Sequence, residues 1–142
     1  MKVMKRIMVI VLLLLAVILL VDLIPRIINP IQRPDNMLKN YILKITPLGT
    51  SLDDIVDIIN SRDDWGSANL LNYGLYKENP GEPYMEDRER PRIGERTVST
   101  SMGTYKSLRD VFFLMEIHVA IIWVFDANDI LIDVHIWRVG RI

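Results

Sequence analysis

Two histidines and two carboxylates near the end of the chain are the side chains whose types and spacing could support chemistry. His118 and His135 are the two histidines of this 142-residue chain, and Glu116 and Asp133 each stand two positions before one of them. Two imidazoles and two carboxylates can bind a divalent transition metal or form an acid–base pair. The same residue types are ordinary on the solvent-exposed side of a sheet, so their meaning depends on the elements that position them.

These residues lie in a segment with the pattern of an antiparallel hairpin. The sequence from His118 to Val139 reads HVAIIWVFDANDILIDVHIWRV, in which two apolar runs flank the turn-forming residues Asp126–Asp129. If Phe125 pairs with Ile130, alternation along both strands creates one wholly apolar face, which we expect to be buried. The further pairs in this register are Trp123 with Ile132, Ile121 with Val134, and Val119 with Ile136.

The other face of the hairpin is mixed, and we expect it to be at least partly in contact with water. In the same register His118 and His135 are diagonal neighbours on this face, with Glu116 and Asp133 close by and Trp137 beside them. His118, Asp133, His135 and Trp137 are therefore candidates for binding a partner. The alternative is a small metal-dependent or acid–base enzyme that uses the two histidines and the two carboxylates.

One helix is predicted before this hairpin. Thr50 or Ser51 can cap a helix from Leu52 to Ile59, in which apolar residues recur at helical spacing. Residues 36–44 fit a helix or a first strand about equally well. The sequence therefore predicts a short amphipathic helix in the first half of the chain.

The remaining strands complete the expected fold. Residues 97–106 alternate as a strand with a bulge at Gly103, and residues 70–76 can hold another strand. The first hairpin strand is expected to start near Val111. We predict an α+β fold, in which a short helix packs on a small antiparallel sheet of three to four strands that ends in the C-terminal hairpin.

An apolar segment near the N-terminus predicts attachment to a membrane. Basic residues precede an unbroken apolar run from Ile7 to Val21, and Leu23 and Ile24 extend it to about the lower limit for a transmembrane helix. No small-residue cleavage site follows, which favours an uncleaved signal-anchor at residues 1–24 over a cleaved leader and a secreted protein. We expect residues 7–24 to cross the cell membrane once, with the N-terminus in the cytoplasm and the C-terminal domain outside it.

The segment after the apolar run is rich in proline. Pro25, Pro30 and Pro34 fall within residues 25–36. Proline at that density disfavours a continuous helix and keeps the backbone extended. We expect a stalk at residues 25–36 that holds an extracytoplasmic α+β domain, residues 37–142, away from the membrane.

A long charged segment lies in the middle of the domain. Periodicity fades from residue 60 to residue 96, and the second half of this stretch is rich in turn-forming residues and in charges of both signs. Such a pattern is typical of a solvated loop, but long loops also carry binding functions. Tyr84 and Met85 are its candidate contacts with a partner.

Composition excludes several classes of function. The formal net charge is −1 and no basic block occurs, so a nucleic-acid partner is not expected. The chain has no cysteine, which excludes disulfides, thiolate metal sites and a cysteine nucleophile. It has no phosphate-binding glycine motif and no serine nucleophile elbow, and we expect neither a cofactor nor catalysis.

Two parts of the chain resemble a known class of small envelope domains. The capped helix and the aromatic strand, turn and return strand of the hairpin are similar to those of the SmpA/OmlA (BamE-like) class and of the related repeat in β-lactamase-inhibitor proteins. The resemblance covers residues 44–60 and 97–139. The residues that carry it are Gly49-Thr50-Ser51, Leu52, Ile55, Val56, Ile59, Trp123-Val124-Phe125, Asp126–Asp129 and Ile130–Val134.

The chain also departs from that class. It lacks the lipidated cysteine of the lipoprotein members, and residues 60–65 replace their usual Gly-x-Pro step. An outer-membrane assembly role is therefore not carried over. The resemblance implies a module of the cell envelope that binds another envelope protein and has no catalytic activity.

Overall fold

The protein is described by a computed structural model that covers residues 2–76, 91–106 and 116–141. The α+β class and the antiparallel sheet with its terminal hairpin are confirmed. The elements in chain order are helix α1 (Lys2–Ile28), a 3-10 helix (Pro30–Gln32), α2 (Asp35–Ile45), α3 (Leu52–Asn60), β1 (Asn69–Leu71), β2 (Leu75–Tyr76), β3 (Arg92–Ile93), β4 (Arg96–Tyr105), β5 (Glu116–Phe125) and β6 (Leu131–Arg141).

The strands form two antiparallel sheets. The main sheet has the order β1-β4-β5-β6, and β2 pairs with β3 in a small second sheet. The strand predicted at residues 70–76 is thus two short strands that belong to different sheets. The predicted bulge is confirmed, since the β4–β5 register shifts between Ser101 and Gly103, and Gly103 has a φ of 112°. The predicted start of β5 near Val111 lies outside the described residues.

The register of the C-terminal hairpin differs from the prediction by one residue next to the turn and by two residues beyond it. Phe125 pairs with Leu131 instead of Ile130, and a bulge at Ile132 then places Trp123 opposite Val134 and Ile121 opposite Ile136. The turn is longer than predicted because the Asp126 carboxylate accepts hydrogen bonds from the N–H groups of Asn128 and Ile130, each at 2.9 Å. Beyond the bulge, a shift of two residues preserves the facing of the side chains but changes their neighbours. Next to the turn the prediction is wrong, since Ile132, expected on the buried face, is 41% exposed and Leu131 is buried instead.

The core lies between the main sheet and helices α2 and α3. Trp123 is fully buried at its centre, and its ring lies 5.8 Å from that of Trp65. The indole N–H of Trp123 donates to Thr46 Oγ1 at 2.9 Å, and the Thr46 hydroxyl donates to the carbonyl of Ile42 at 3.1 Å. The indole N–H of Trp123 and the hydroxyl of Thr46 therefore both have partners, which removes the cost of burying them unpaired.

Local capping explains the positions of the two short helices. Ser51 Oγ accepts from the N–H of Asp54 at 3.2 Å, so the predicted cap of α3 is confirmed. Residues 36–44, for which the sequence favoured neither form, lie in helix α2. Leu38 and Ile42, one helical turn apart, are fully buried against the sheet.

Residues 25–36 do not form the extended stalk that the proline content predicts. Helix α1 continues to Ile28, Pro30 begins the 3-10 helix, and Pro34 immediately precedes α2. At the first position of a helix, the missing N–H of proline is not needed, so proline favours the start of a helix there. Ile31, within this segment, is only 7% exposed and belongs to the core.

Helix α1 stands apart from the rest of the fold. Its principal contact is with the 3-10 helix that follows it. Among the residues that the structure describes, no helix is found to be both long and apolar enough to cross a membrane. The sequence-based expectation of a transmembrane helix therefore stays a prediction.

Candidate functional site: the open face of the sheet

One face of the main sheet turns away from helices α2 and α3. The part of it formed by β5 and β6 carries alternate residues of each strand, paired as His118 with Val139, Ala120 with Trp137, and Ile122 with His135. These six residues are called the open face here. His118, His135 and Trp137, which were chosen from the sequence as candidate binding residues, thus lie on one surface.

The same side of the sheet is covered at its other end. The carbonyl of Tyr73 accepts a hydrogen bond from Thr97 Oγ1 at 3.2 Å, and a Cβ at Gly94 would lie only 2.5 Å from the side chain of Val124. Val124 is fully buried by this approach. The expectation of a mixed, partly wet face therefore holds at the open face and fails next to the turn, where the β2–β3 pair covers the sheet.

Trp137 is the most prominent apolar side chain of the open face. It is 56% exposed and stands opposite Ala120, the smallest side chain of the face, with a histidine on either side. Ile122 and Val139 are partly exposed beside it. An exposed indole among smaller apolar and polarisable groups has the composition of a protein-binding hot spot.

The two histidines are not the diagonal neighbours that the sequence-based register predicts. His118 is opposite Val139 and His135 is opposite Ile122, so three residue pairs lie between them along the strands. At about 3.3 Å per residue, four residues correspond to about 13 Å, which is beyond the reach of one metal ion or one shared proton. Within the described ranges, no group of three or more potential metal ligands is found.

Asp133 is held by a set of positive and donor groups at the edge of the sheet. Its Oδ1 lies 2.6 Å from Lys39 Nζ and accepts from the N–H of Val134 at 2.8 Å. Burial acts to raise the pKa of Asp133, but the hydrogen bonds from Lys39 and Val134 and the charges of Lys39 and His135 together lower it below its ordinary value. Asp133 therefore stays ionised at neutral pH and ties α2 to β6.

His135 contacts the second oxygen of the same carboxylate. Its Nε2 lies 3.0 Å from Asp133 Oδ2, in a close electrostatic contact that lacks hydrogen-bond geometry. The carboxylate thus bridges Lys39 and His135. Glu116, the other predicted carboxylate, instead accepts a hydrogen bond from Thr104 Oγ1 at 2.8 Å across the β4–β5 pair. Glu116 and the pair formed by Asp133 and His135 therefore take part in two separate contacts.

Two predicted binding residues cannot be located, and two charged residues near the site were not predicted. Tyr84 and Met85 lie outside the described residues. Lys39 and Arg138 were not singled out from the sequence. Lys39 of α2 binds the carboxylate of Asp133 in β6, and Arg138 of β6 binds the carboxylate of Asp35 in α2. Arg138 carries a usable signal, because it continues the alternating series of core positions after Val134 and Ile136 with a charged residue.

Comparison with known proteins gives no assignment for this fold or surface. No protein-family model matches the chain, and no curated protein or solved structure shows significant similarity to it.

Proposed function

We propose that this chain is a membrane-attached module of the cell envelope that binds another protein through its open face and has no catalytic activity. The observation that carries the proposal is the exposure of helix α1. Every large apolar side chain from Ile7 to Leu20 is between 48% and 68% exposed. Because burying one such side chain is worth roughly 1.5–3 kcal/mol, a helix exposed in this way requires an apolar partner.

A lipid bilayer is the partner that fits an apolar surface on all sides of a helix. Apolar side chains surround α1 instead of forming one stripe, as they would in a helix that packs on a protein core. The unbroken run from Ile7 to Val21 would be about 22 Å long as a helix, against about 30 Å for the hydrocarbon core. We propose that residues 7–24 span a locally thinned bilayer, with Leu23 and Ile24 extending the apolar length.

The orientation follows from the distribution of charge in the sequence. The residues before the apolar run are basic, which favours a cytoplasmic N-terminus. The α+β domain is then outside the cytoplasm. This places the open face where other envelope proteins are accessible, in line with the resemblance to small envelope domains.

The open face supports protein binding better than catalysis. Trp137 supplies a rigid apolar anchor, and His118 and His135 supply adaptable polar groups at its sides. The distance between the histidines along the strands argues against a joint chemical role for them. Asp133 is already bound by Lys39.

A crosslinking experiment in native membranes tests this function. A photoreactive amino acid at Val139, beside Trp137, is expected to form a discrete adduct with a partner, and Trp137→Ala is expected to abolish that adduct. The same photoreactive residue at Asn128, which is exposed in the hairpin turn, is the matched control and should form none. Equal adducts from both positions, or an adduct that survives Trp137→Ala, would overturn the assignment of the open face.

A further inference from the structure

Arg138 connects the sheet to the segment that joins α1 and α2. Its Nε donates to Asp35 Oδ1 at 2.6 Å, its Nη1 donates to the carbonyl of Ile31 at 2.8 Å and to the hydroxyl of Tyr105 at 2.9 Å, and its Nη2 donates to the carbonyl of Arg33 at 2.7 Å. The planar guanidinium thus holds two carbonyls of the connecting segment, the first residue of α2 and the last residue of β4. A single charge-assisted fork of this kind fixes geometry more strictly than a lysine could.

These contacts leave little freedom between α1 and the domain. Ile31, whose carbonyl binds Arg138, also has its side chain in the core. Three residue steps separate it from Ile28, the last residue of α1, and even a fully extended chain would cover only about 11 Å in three steps. The connection is therefore a short, bonded joint.

The joint lies at one end of the sheet. Tyr105, which binds Arg138, is the last residue of β4 and pairs with Ile117 at the start of β5, so Lys106 and Glu116 are at this end. The hairpin turn with Asn128 is at the opposite end of β5. The strand is ten residues long, so its two ends are about 30 Å apart. Lys106 and Asn128 thus mark a near and a far end relative to α1.

The near end carries the residue types that suit a membrane interface. Ile28 and Met37 are 75% and 56% exposed, and Lys106 is exposed beside Tyr105. Exposed apolar groups together with a tyrosine and a lysine are typical of the headgroup layer of a bilayer. Ile28 is itself the last residue of α1.

We propose that the near end of the domain rests on the phospholipid headgroup layer of the bilayer that holds α1, and that Arg138 is the positioning residue that keeps it there. The inference rests on the proposed function, because it requires α1 to be in the bilayer. In this arrangement the domain lies directly on the membrane, whereas the sequence-based expectation was a domain held away from it by a stalk. The open face would then be presented at a fixed height and orientation.

Fluorescence quenching on single-cysteine variants compares how close the near end and the far end of the domain lie to the headgroup layer. The chain has no cysteine, so Lys106→Cys and Asn128→Cys each give one labelling site in the full-length protein. The labelled proteins are reconstituted in phosphatidylcholine vesicles that contain a lipid with a quencher on its headgroup. We expect quenching to be several-fold stronger at position 106 than at position 128.

Three further variants test whether Arg138 positions the domain or only contributes to its stability. Arg138→Met should reduce the difference between the two positions, whereas Lys39→Met, which removes the other ion pair between α2 and β6, should leave it unchanged. Insertion of a flexible Gly/Ser spacer after Ile28 preserves every Arg138 contact and should also reduce the difference. The spacer variant keeps the test valid if Arg138→Met does not fold.

The outcomes distinguish this inference from the proposed function. Protein that does not insert in the vesicles would overturn the proposed function itself. Inserted protein that is quenched equally at the two positions, or whose quenching the spacer leaves unchanged, would retain membrane attachment and overturn the seating of the domain. Equal effects of Arg138→Met and Lys39→Met would overturn the specific role of Arg138.

Discussion

The two faces of the β5–β6 hairpin differ in what constrains them. On the core face, Val119, Ile121, Trp123 and Phe125 are fully buried, so each position is restricted by volume and polarity. On the open face, Trp137 is more than half exposed and stands opposite the buried Ala120, and the other four side chains of the face are partly exposed. The comparison shows that burial determines which face a side chain takes, whereas the turn determines which neighbours it meets. Chemistry on the open face depends on neighbours.

A matched pair of tryptophan substitutions gives the largest expected contrast between the faces. Trp123→Ala should unfold the domain, because truncating a buried aromatic side chain costs roughly 3–5 kcal/mol, a large share of the stability of a small domain. Trp137→Ala, on the open face, should change stability by no more than about 0.5 kcal/mol. Urea unfolding of the full chain in mild detergent, followed by circular dichroism, compares them. Similar losses would show that the two faces are misassigned.

Removing one hydrogen bond in the core should have a smaller effect. Thr46→Val preserves shape but leaves the buried indole N–H of Trp123 without its acceptor, which should cost about 1–3 kcal/mol. Thr104→Val is the control, because its hydroxyl bonds to Glu116 in an exposed position. The same unfolding measurement applies. Equal stability of the Thr46→Val and wild-type proteins would mean that the Trp123–Thr46 bond contributes nothing to the core.

The carboxylate beside the open face predicts a pH dependence. The pKa of Asp133 is lowered in the folded protein, so its stabilising contribution is complete above its unfolded value of about 3.9 and is lost as the pH falls through the lower folded value. Lys39→Met removes a main cause of the lowering. Urea unfolding at a series of pH values should therefore show a steeper acid loss for the wild type than for Lys39→Met. A steeper loss for the variant would contradict this assignment.

The histidines of the open face should contribute least to stability. His118→Ala and His135→Ala are each expected to change the free energy of unfolding by less than about 1 kcal/mol, as substitutions of partly exposed residues usually do. Thermal unfolding and zinc titration of both variants provide the test. A larger loss would mean that this face is covered in the folded protein, and stoichiometric zinc binding that His135→Ala abolishes would restore the metal-dependent alternative.

The difference between the core face and the open face also shows which features of the fold can be predicted from the sequence. The capped helix α3, the bulge at Gly103, the fold class and the positions of Trp123 on the core face and Trp137 on the open face follow from local patterns. The hairpin register does not, because the side-chain bonds of Asp126 lengthen the turn and a shift of two residues retains a buried face.

The connection between α1 and the domain could not be predicted for a different reason. Proline content alone cannot distinguish an extended stalk from prolines that begin successive helices. Here Pro30 and Pro34 stand at the starts of helices, and Pro25 lies within α1. Contacts of Arg138 with Ile31 and Asp35 join parts of the chain more than one hundred residues apart. Such pairs require the arrangement of α2 beside β6, which no local pattern contains.

Both proposals require residues 7–24 to be attached to the membrane, and the location of the protein in the cell tests this attachment. The protein is expressed with a C-terminal tag, membrane and soluble fractions are separated, and external protease is added to intact cells or spheroplasts. We predict full-length protein in the membrane fraction with a tag that the protease removes. Full-length or shortened protein in the soluble fraction would contradict membrane attachment, and a protected tag on membrane-bound protein would contradict the proposed orientation.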